Sequence, residues 1–585
     1  MLKARYLIAA AAVLCLALGC GRSLKDGDYC LTILSTNDVH GAWFDSTYTG
    51  GGVKRSLFAV NALVDSVRKA DGASNVLLLD AGDCLQGDNA AYYYNYVDTL
   101  SPHLFPRLME YMGYDAIAVG NHDIETGHSV YDRVAAQLEG AGIAFLGGNA
   151  VRESDGKPYF PPYRIFDRAG LKIAVIGYTN ANMKSWLTEE IWRGMDFQSI
   201  ASRIKEDVDR IRAKEKPDVV IALMHTATGK GDGSTPESEA LDIMNSVSGV
   251  DWILCGHDHR PFNETRDSIA LLNSGSHCRY LAEGKMTLSF KDGKIESKQF
   301  ETQLIPVKRE AIDTAMRAHF RKEFEAVRAF TLKEVGVLNV DLYTRDAYLG
   351  PCPYINLIHT VCLGCSPSEI SFAAPLTYNG KVESGILKYN DLFTIYPFEN
   401  QLFVIRMSGK EIKDYLEASY DRWINTVKGP GEILLKISER DDPRTGQKRW
   451  SFDSRSYNFD SAGGLCYSVD VTKERGERVS IISLASGKTF EPERDYNVAL
   501  TSYRASGGGN LLSEAGIDCS AINERTVERY PEIRNILYEY IMKNGSIDRE
   551  VVGDKSVIGE WSFTPEKICT PALKRDFGRL FGKQD

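Results

Sequence analysis

The chain has little of what marks several common protein classes. Only 12 of its 585 residues are cysteine. With Cys15 and Cys20 set aside in the N-terminal segment, ten remain, too sparse for a dense disulfide scaffold. Cys362-x-x-Cys365 lies in a helix-like stretch without a redox-fold context, and Cys84 and Cys255 read as buried thiols. Cationic side chains are outnumbered, 69 Lys and Arg against 79 Asp and Glu, for a net charge of −10. Nucleic-acid polymers are gripped by Lys/Arg stripes, so this balance excludes one as the main partner. A small anion held through metal ions stays open. Internal repeats and low-complexity segments are missing too. Past the first 20 residues, no apolar run approaches the roughly 20 residues that span a bilayer.

The one long apolar stretch is N-terminal. Lys3 and Arg5 precede Leu7–Leu18, which ends at Gly19-Cys20. This is the layout of a bacterial lipoprotein signal, with Ala17 where Leu is usual. The expectation is that residues 1–19 are removed and Cys20 carries a lipid. That would tether the body to a membrane of the cell envelope, on an outer-membrane, periplasmic or surface face. An ordinary secretory signal cut nearby is the alternative. The length allows two large domains or three to four small ones, and the 43% hydrophobic content allows sizeable cores.

Against this background, five hydrophobic runs each end on residues that can bind a metal. "LTILSTNDVH" delivers Asp38 and His40, and "NVLLLDAGD" delivers Asp83. "AIAVGNHD" delivers Asn121 and His122, "VVIALMH" delivers His225, and "WILCGHDH" delivers His257 and His259. Short Val/Leu/Ile runs between helix-like stretches read as buried parallel strands. In open α/β sheets, chemistry gathers beyond the carboxyl ends of such strands. The five loops are therefore expected to meet around two divalent cations. Asp and neutral His suit Zn or Mn, whereas Mg and Ca prefer all-oxygen sites. Asp83 is the expected bridging carboxylate. Two cations about 3.5–4 Å apart activate a water and clamp a phosphoryl oxygen. His122 follows a ligand directly and should face the substrate, to stabilise charge or protonate the leaving oxygen. Glu125 or Asp123 would hold its ring.

Strand and helix patterns alternate from about residue 30 to 300, as in a layered α/β domain. Ile312, Met316, Phe320, Phe324 and Val327 then recur at helical spacing over Lys308–Phe330, which reads as one helix joining two halves. A mixed second domain runs from about Val335 to Ile558, and the stretch beyond Glu560 reads as surface.

These motifs resemble those of the calcineurin-like metallophosphoesterases, and the two-part layout resembles the bacterial 5′-nucleotidase superfamily. The resemblance implies a four-layer α/β/β/α domain over residues 30–305 and an α+β substrate-binding domain over 333–560; the linker helix then covers 306–332, and the charged stretch 561–585 reads as a surface tail. It implies one metal on Asp38, His40, Asp83 and His259, and a second on Asp83, Asn121, His225 and His257. The catalytic dyad would be His122 with Glu125, where 5′-nucleotidases usually carry Asp. Phe459 in "YNFDSAGG" and Tyr503 in "SYRASGGG" would sandwich a nucleobase. Because rings and metals fall in different domains, the site should form between them.

The chain carries Ala373–Thr377, "AAPLT", where 5′-nucleotidases carry Asn-Gly-Gly-Ile-Arg, and Gly509 where they place Asp. "AAPL", "YPFENQL", "YNFD" and "YRASGGG" look closer to the 2′,3′-cyclic-nucleotide phosphodiesterase/3′-nucleotidase branch. The expected function is an exported nucleotide phosphohydrolase of that branch. The alternatives are a 5′-nucleotidase, a metal hydrolase of another small anion, and a non-catalytic surface-binding lipoprotein.

Overall fold

A computed structural model of the chain describes residues 24–233, 237–266, 268–441 and 447–582. The signal segment with Cys15 and Cys20, and Lys583 of the tail, lie outside the described residues. Among the described residues, the two large sheets of the first domain hold twelve strands. These are β1 (Gly27–Thr36), β2 (Val76–Asp80), β3 (Ala116–Ala118), β4 (Ala144–Leu146), β5 (Tyr163–Arg168), β6 (Leu171–Tyr178), β7 (Val219–Met224), β8 (Trp252–Cys255), β9 (Phe262–Arg266), β10 (Ile269–Asn273), β11 (Tyr280–Lys291) and β12 (Lys294–Pro306). They form two six-stranded sheets, β12-β11-β1-β2-β3-β4 and β9-β10-β8-β7-β6-β5. Strands β1 to β4 run parallel, as do β6, β7, β8 and β10.

The apolar runs are continuous because these strands are covered on both faces. Leu31, Ile33, Leu77 and Leu79 of the first sheet meet Ile173, Val175, Ile221 and Leu254 of the second in one core. Helices Leu57–Asp71, Leu104–Met112 and His128–Gly140 cover the outer face of the first sheet. Helix Ile200–Glu215 covers the second with Ile200, Ile204, Val208 and Ile211, an apolar stripe at helical spacing. The layers are helix, sheet, sheet, helix.

Two expectations need correction. The single linker helix over 306–332 is two helices, Thr314–His319 and Arg321–Thr331. Phe320 leaves helical geometry between them (φ −98°, ψ 19°). Its ring is buried against Phe58 and Tyr111, so the junction is packed onto the first domain. Nor are the described residues 561–582 a surface tail. Residues Gly559–Thr564 pair in parallel with Leu465–Asp470, and Trp561 and Phe563 point into the core. Helix Glu566–Phe581 follows, burying Ile568, Cys569, Ala572 and Leu573. The fully buried Asp576 accepts the Leu434 and Leu435 amides at 2.6 and 3.1 Å. The basic residues of this stretch had masked an inward apolar stripe.

The second domain centres on a five-stranded sheet ordered Ser461–Gly463, Ile370–Ala373, Asp495–Thr501, Gln401–Ser408 and Thr526–Glu532. It touches the first domain directly. Asn89 donates to Asn390 at 3.1 Å, and the Tyr92 ring packs on Tyr389 and Phe393. The buried Arg534 guanidinium lies over the Phe393 and Tyr92 rings at 4.0 and 5.2 Å and pairs with Glu399 at 3.2 Å.

Asp576→Ala leaves two buried amides without acceptors. We expect a loss on the order of 2–4 kcal/mol, read as a lower urea midpoint; an unchanged midpoint would restore the surface-tail reading.

Candidate functional site

Each candidate ligand sits where a strand of one or the other sheet ends. Asp38 and His40 follow β1, Asp83 follows β2, and Asn121 and His122 follow β3. His225 follows β7, and His257 and His259 follow β8. Because the sheets are stacked, the loops of both converge. Asp38, His40 and His259 form one group and Asp83, His225 and His257 a second, each with its ligand atoms within 4.8 Å of one another. In the first group, His40 Nε2 lies 2.9 Å from His259 Nε2, and Asp38 Oδ1 lies 3.4 Å from the latter. In the second, Asp83 Oδ2 is 3.1 Å from His225 Nε2. Asn121 Oδ1 joins it, 3.0 Å from His225 Nε2 and 2.9 Å from His257 Nδ1. All seven metal candidates are thus brought together. Imidazole nitrogens converging with carboxylate and amide oxygens in two groups fit divalent cations.

The backbone is bent to achieve this. Asp38 (φ 48°), His40 (φ 47°), Asp83 (φ 61°), His257 (φ 76°) and His259 (φ 57°) all adopt the left-handed region. Non-glycine residues rarely enter it, and such strain clusters at functional sites. Glycine supplies room elsewhere. A Cβ on Gly120 would lie 2.2 Å from the Asp83 carboxylate, and one on Gly256 would lie 2.6 Å from that of Asp38. Two buried polar residues hold the loops in place. Asp123 accepts the amides of Asp83, Cys84, Leu85 and Gly120 at 2.8–3.0 Å. Asn37 bridges Asp38, Asn273, Ser274 and Gly275. Asp123 is therefore a loop organiser and not the partner of His122. Asn37 passed unnoticed in sequence, where a polar residue after a strand reads as solvent-facing.

Burial foremost pushes His40 down to about 3, keeping its ring neutral with a lone pair to give. At His225, burial is outweighed by Asp83 and the proton affinity rises to about 9; a cation between them competes with that proton. His122 is outside the ligand groups. Its amide donates to Asp83 Oδ1 at 2.8 Å, and its Nδ1 lies 2.5 Å from Glu125 Oε2, as the dyad requires. Burial disfavours its charge, but Asp83 and Glu125 raise it to about 10. Gln86 donates to the same Glu125 oxygen at 3.2 Å.

The aromatic assignment in the second domain is half wrong. Tyr503 is 38% exposed, but Phe459 is fully buried, stacked on Trp423 in the core. Two residues earlier, Tyr457 meets Tyr503 edge-to-face at 6.1 Å. The short 3₁₀ turn Ser456–Asn458 leaves Tyr457 half-buried, while Phe459 after it packs into the core on Trp423. Arg504 ties both loops together. It donates to Tyr457 O (2.6 Å), Asn458 Oδ1 (2.9 Å), Gly508 O (2.9 Å) and both oxygens of buried Asp460 (2.8 and 2.9 Å). Residues Ser502–Ala505 touch Met183–Trp186 of the first domain, and Trp186 stacks on His257 at 5.3 Å. The segment carrying Tyr503 thus neighbours the one whose Trp186 covers a residue of the second ligand group.

Residues 31–261 match the profile of the calcineurin-like phosphoesterases, and residues 334–514 match that of the 5′-nucleotidase C-terminal domain. The trifunctional nucleotide phosphoesterase protein of Bacillus subtilis is 26% identical over 610 residues, 92% of this chain; the alignment spans only 39% of that protein's length. A Vibrio cholerae 5′-nucleotidase is 27% identical over 67% of this chain and 76% of its own. A 2′,3′-cyclic-nucleotide 2′-phosphodiesterase/3′-nucleotidase of Yersinia enterocolitica is 22% identical over 82% and 81%. The fold matches that of a candidate 5′-nucleotidase from Staphylococcus aureus (TM-score 0.74, 19% identity, 91% of this chain and 99% of the other).

Metal content by mass spectrometry should be about two ions per chain, and about one in either His259→Ala or His257→Ala. Two ions retained in both variants would contradict the two-group arrangement.

Proposed function

We take the chain as a member of the calcineurin-like metallophosphoesterases that carry a 5′-nucleotidase C-terminal domain, and we propose that this hydrolase releases phosphate from small nucleotides in the cell envelope. The substrate class is carried by one observation, the Tyr457–Tyr503 ring pair, whose Ser502–Ala505 segment neighbours the Met183–Trp186 segment of the first domain. Parting the two rings admits a planar base, and stacking contributes about 1–3 kcal/mol per base. Two divalent cations in the paired groups would supply the activated water and the charge neutralisation for in-line displacement at phosphorus.

The chain's own residues do the rest. Glu125 engages His122 Nδ1, which leaves Nε2–H as the free donor. A histidine kept protonated through neutral pH can give that proton to the leaving oxygen. Asp123 and Asn37 keep the ligand loops from relaxing. Arg504 keeps the two tyrosine loops in register.

The proposed substrate within this class is the 2′,3′-cyclic nucleotide, followed by the 3′-monophosphate. Support comes from the "AAPLT", "YNFD" and "YRASGGG" stretches and from similarity to the Yersinia protein. Similarity to the Vibrio protein supports the 5′-monophosphate alternative. We further propose export and a lipid on Cys20, supported by the basic and apolar N-terminal run; labelling with a fatty-acid analogue that persists in Cys20→Ser would refute the anchor. Among the described residues, no helix is long and apolar enough to cross a membrane.

With Mn or Zn, the protein should hydrolyse 2′,3′-cAMP faster than 3′-AMP or 5′-AMP, and a chelator should stop turnover. All three left intact would refute the function. Tyr457→Ala should raise KM for nucleotides about 5- to 150-fold, from 1–3 kcal/mol of stacking, and spare an aryl phosphate. Phe459→Ala should instead cost about 3–5 kcal/mol of stability. The opposite pattern would return Phe459 to the clamp. Activity should fall as pH rises through the His122 pKa, since the acid is then lost. Glu125→Gln removes a charge that raises that pKa, so the alkaline limb should move acidward by about one unit or more. An unmoved limb would remove His122 as the acid.

A further inference from the structure

Glu237 belongs to none of the motifs above. It lies in the polar segment after β7, and its side chain is half exposed. Its Oε1 is 3.1 Å from His257 Nε2. The other nitrogen of that ring, Nδ1, faces inward, 2.9 Å from Asn121 Oδ1. A neutral imidazole has one N–H and one lone pair. With a carboxylate at Nε2, the N–H belongs there, and the lone pair falls on Nδ1, aimed at the second ligand group. Trp186 lies flat on the same ring, 5.3 Å between centroids with the planes 15° apart. The ring is therefore fixed both in tautomer and in tilt.

The backbone that places Glu237 is itself anchored to the same group. Its carbonyl accepts Ala227 N at 3.0 Å, Thr226 Oγ1 at 3.1 Å and Asn180 Nδ2 at 3.4 Å. Thr226 is the residue after His225. The two histidines of this group are thus oriented by different partners: His225 through its Nδ1, 2.7 Å from the Ala81 carbonyl, and His257 through a carboxylate.

We propose that Glu237 is a positioning residue for His257, selecting Nδ1 as the ligand atom and strengthening the second cation pocket. The proposal rests on the reading of Asp83, His225 and His257 as cation ligands. Partners of this kind are worth about 10- to 100-fold in metal affinity. A carboxylate on the far nitrogen of a ligand histidine also makes that ring a better donor.

The test uses the full chain, stripped with chelator and titrated with Mn2+ in a calorimeter. Native protein should take up two ions. Glu237→Ala should weaken one of the two steps about 10- to 100-fold and leave the other unchanged. Glu237→Gln, which keeps an amide oxygen near Nε2 but loses the charge, should fall between the two. The Co2+-loaded visible spectrum of Glu237→Ala should change in the bands of one ion only. Because the side chain is half exposed, the melting temperature of the stripped protein should not move, which separates positioning from folding. Native-like affinity for both ions in Glu237→Ala would overturn the proposal, as would equal weakening of both steps. Failure of the native protein to bind two ions would instead refute the underlying metal reading, and this proposal with it.

Discussion

The molecule is organised around a costly arrangement: two carboxylates, Asp38 and Asp83, buried at 0% and 1% exposure among converging imidazoles. Ionised carboxylates withdrawn from water are tolerated only when paired or metal-bound. The rest of the first domain makes this burial possible. Two stacked sheets aim the ends of β1, β2, β3, β7 and β8 at one place. Left-handed backbone at five candidate ligands turns the side chains inward. Asp123 and Asn37 satisfy the backbone groups that the loops would otherwise leave unpaired.

Much of this was legible before any coordinates. Strands such as β7 and β8 are covered on both faces, so they appear as unbroken apolar runs, and the polar residue that ends each run is already a ligand candidate. The His122–Glu125 pair was legible because i and i+3 share a helical face. What could not be read depended on contacts distant in sequence. Phe459 and Tyr457 lie two residues apart, and only packing on Trp423 decides which one is core. The helix over 566–581 carries enough Lys and Arg to look like surface, because its apolar stripe is narrow. The linker was expected to be one helix because its periodicity runs through Phe320, whereas the burial of that ring breaks it. Asp123 bonds to residues about 40 positions away, which no local pattern reports.

The two domains contribute different things. The first holds the candidate ligands and the His122–Glu125 pair; the second offers Tyr457 and Tyr503, with Arg504 and Asp460 as the common brace of their loops. Their meeting line carries Trp186 beside His257 on one side and Arg534 between the Tyr92 and Phe393 rings on another. A substrate whose phosphate lies on the metal side and whose base lies between tyrosines must touch both domains. In the proposed function, selectivity for nucleotides would reside in the second domain and bond cleavage in the first.

We propose that Asp83 would serve both ligand groups, and electron paramagnetic resonance of the Mn2+-loaded protein addresses this directly. Ions bridged by one carboxylate about 3.5–4 Å apart should give the broad spectrum of an exchange-coupled pair, collapsing to an isolated-ion signal in Asp83→Ala. Two independent six-line spectra in the native protein would contradict the account.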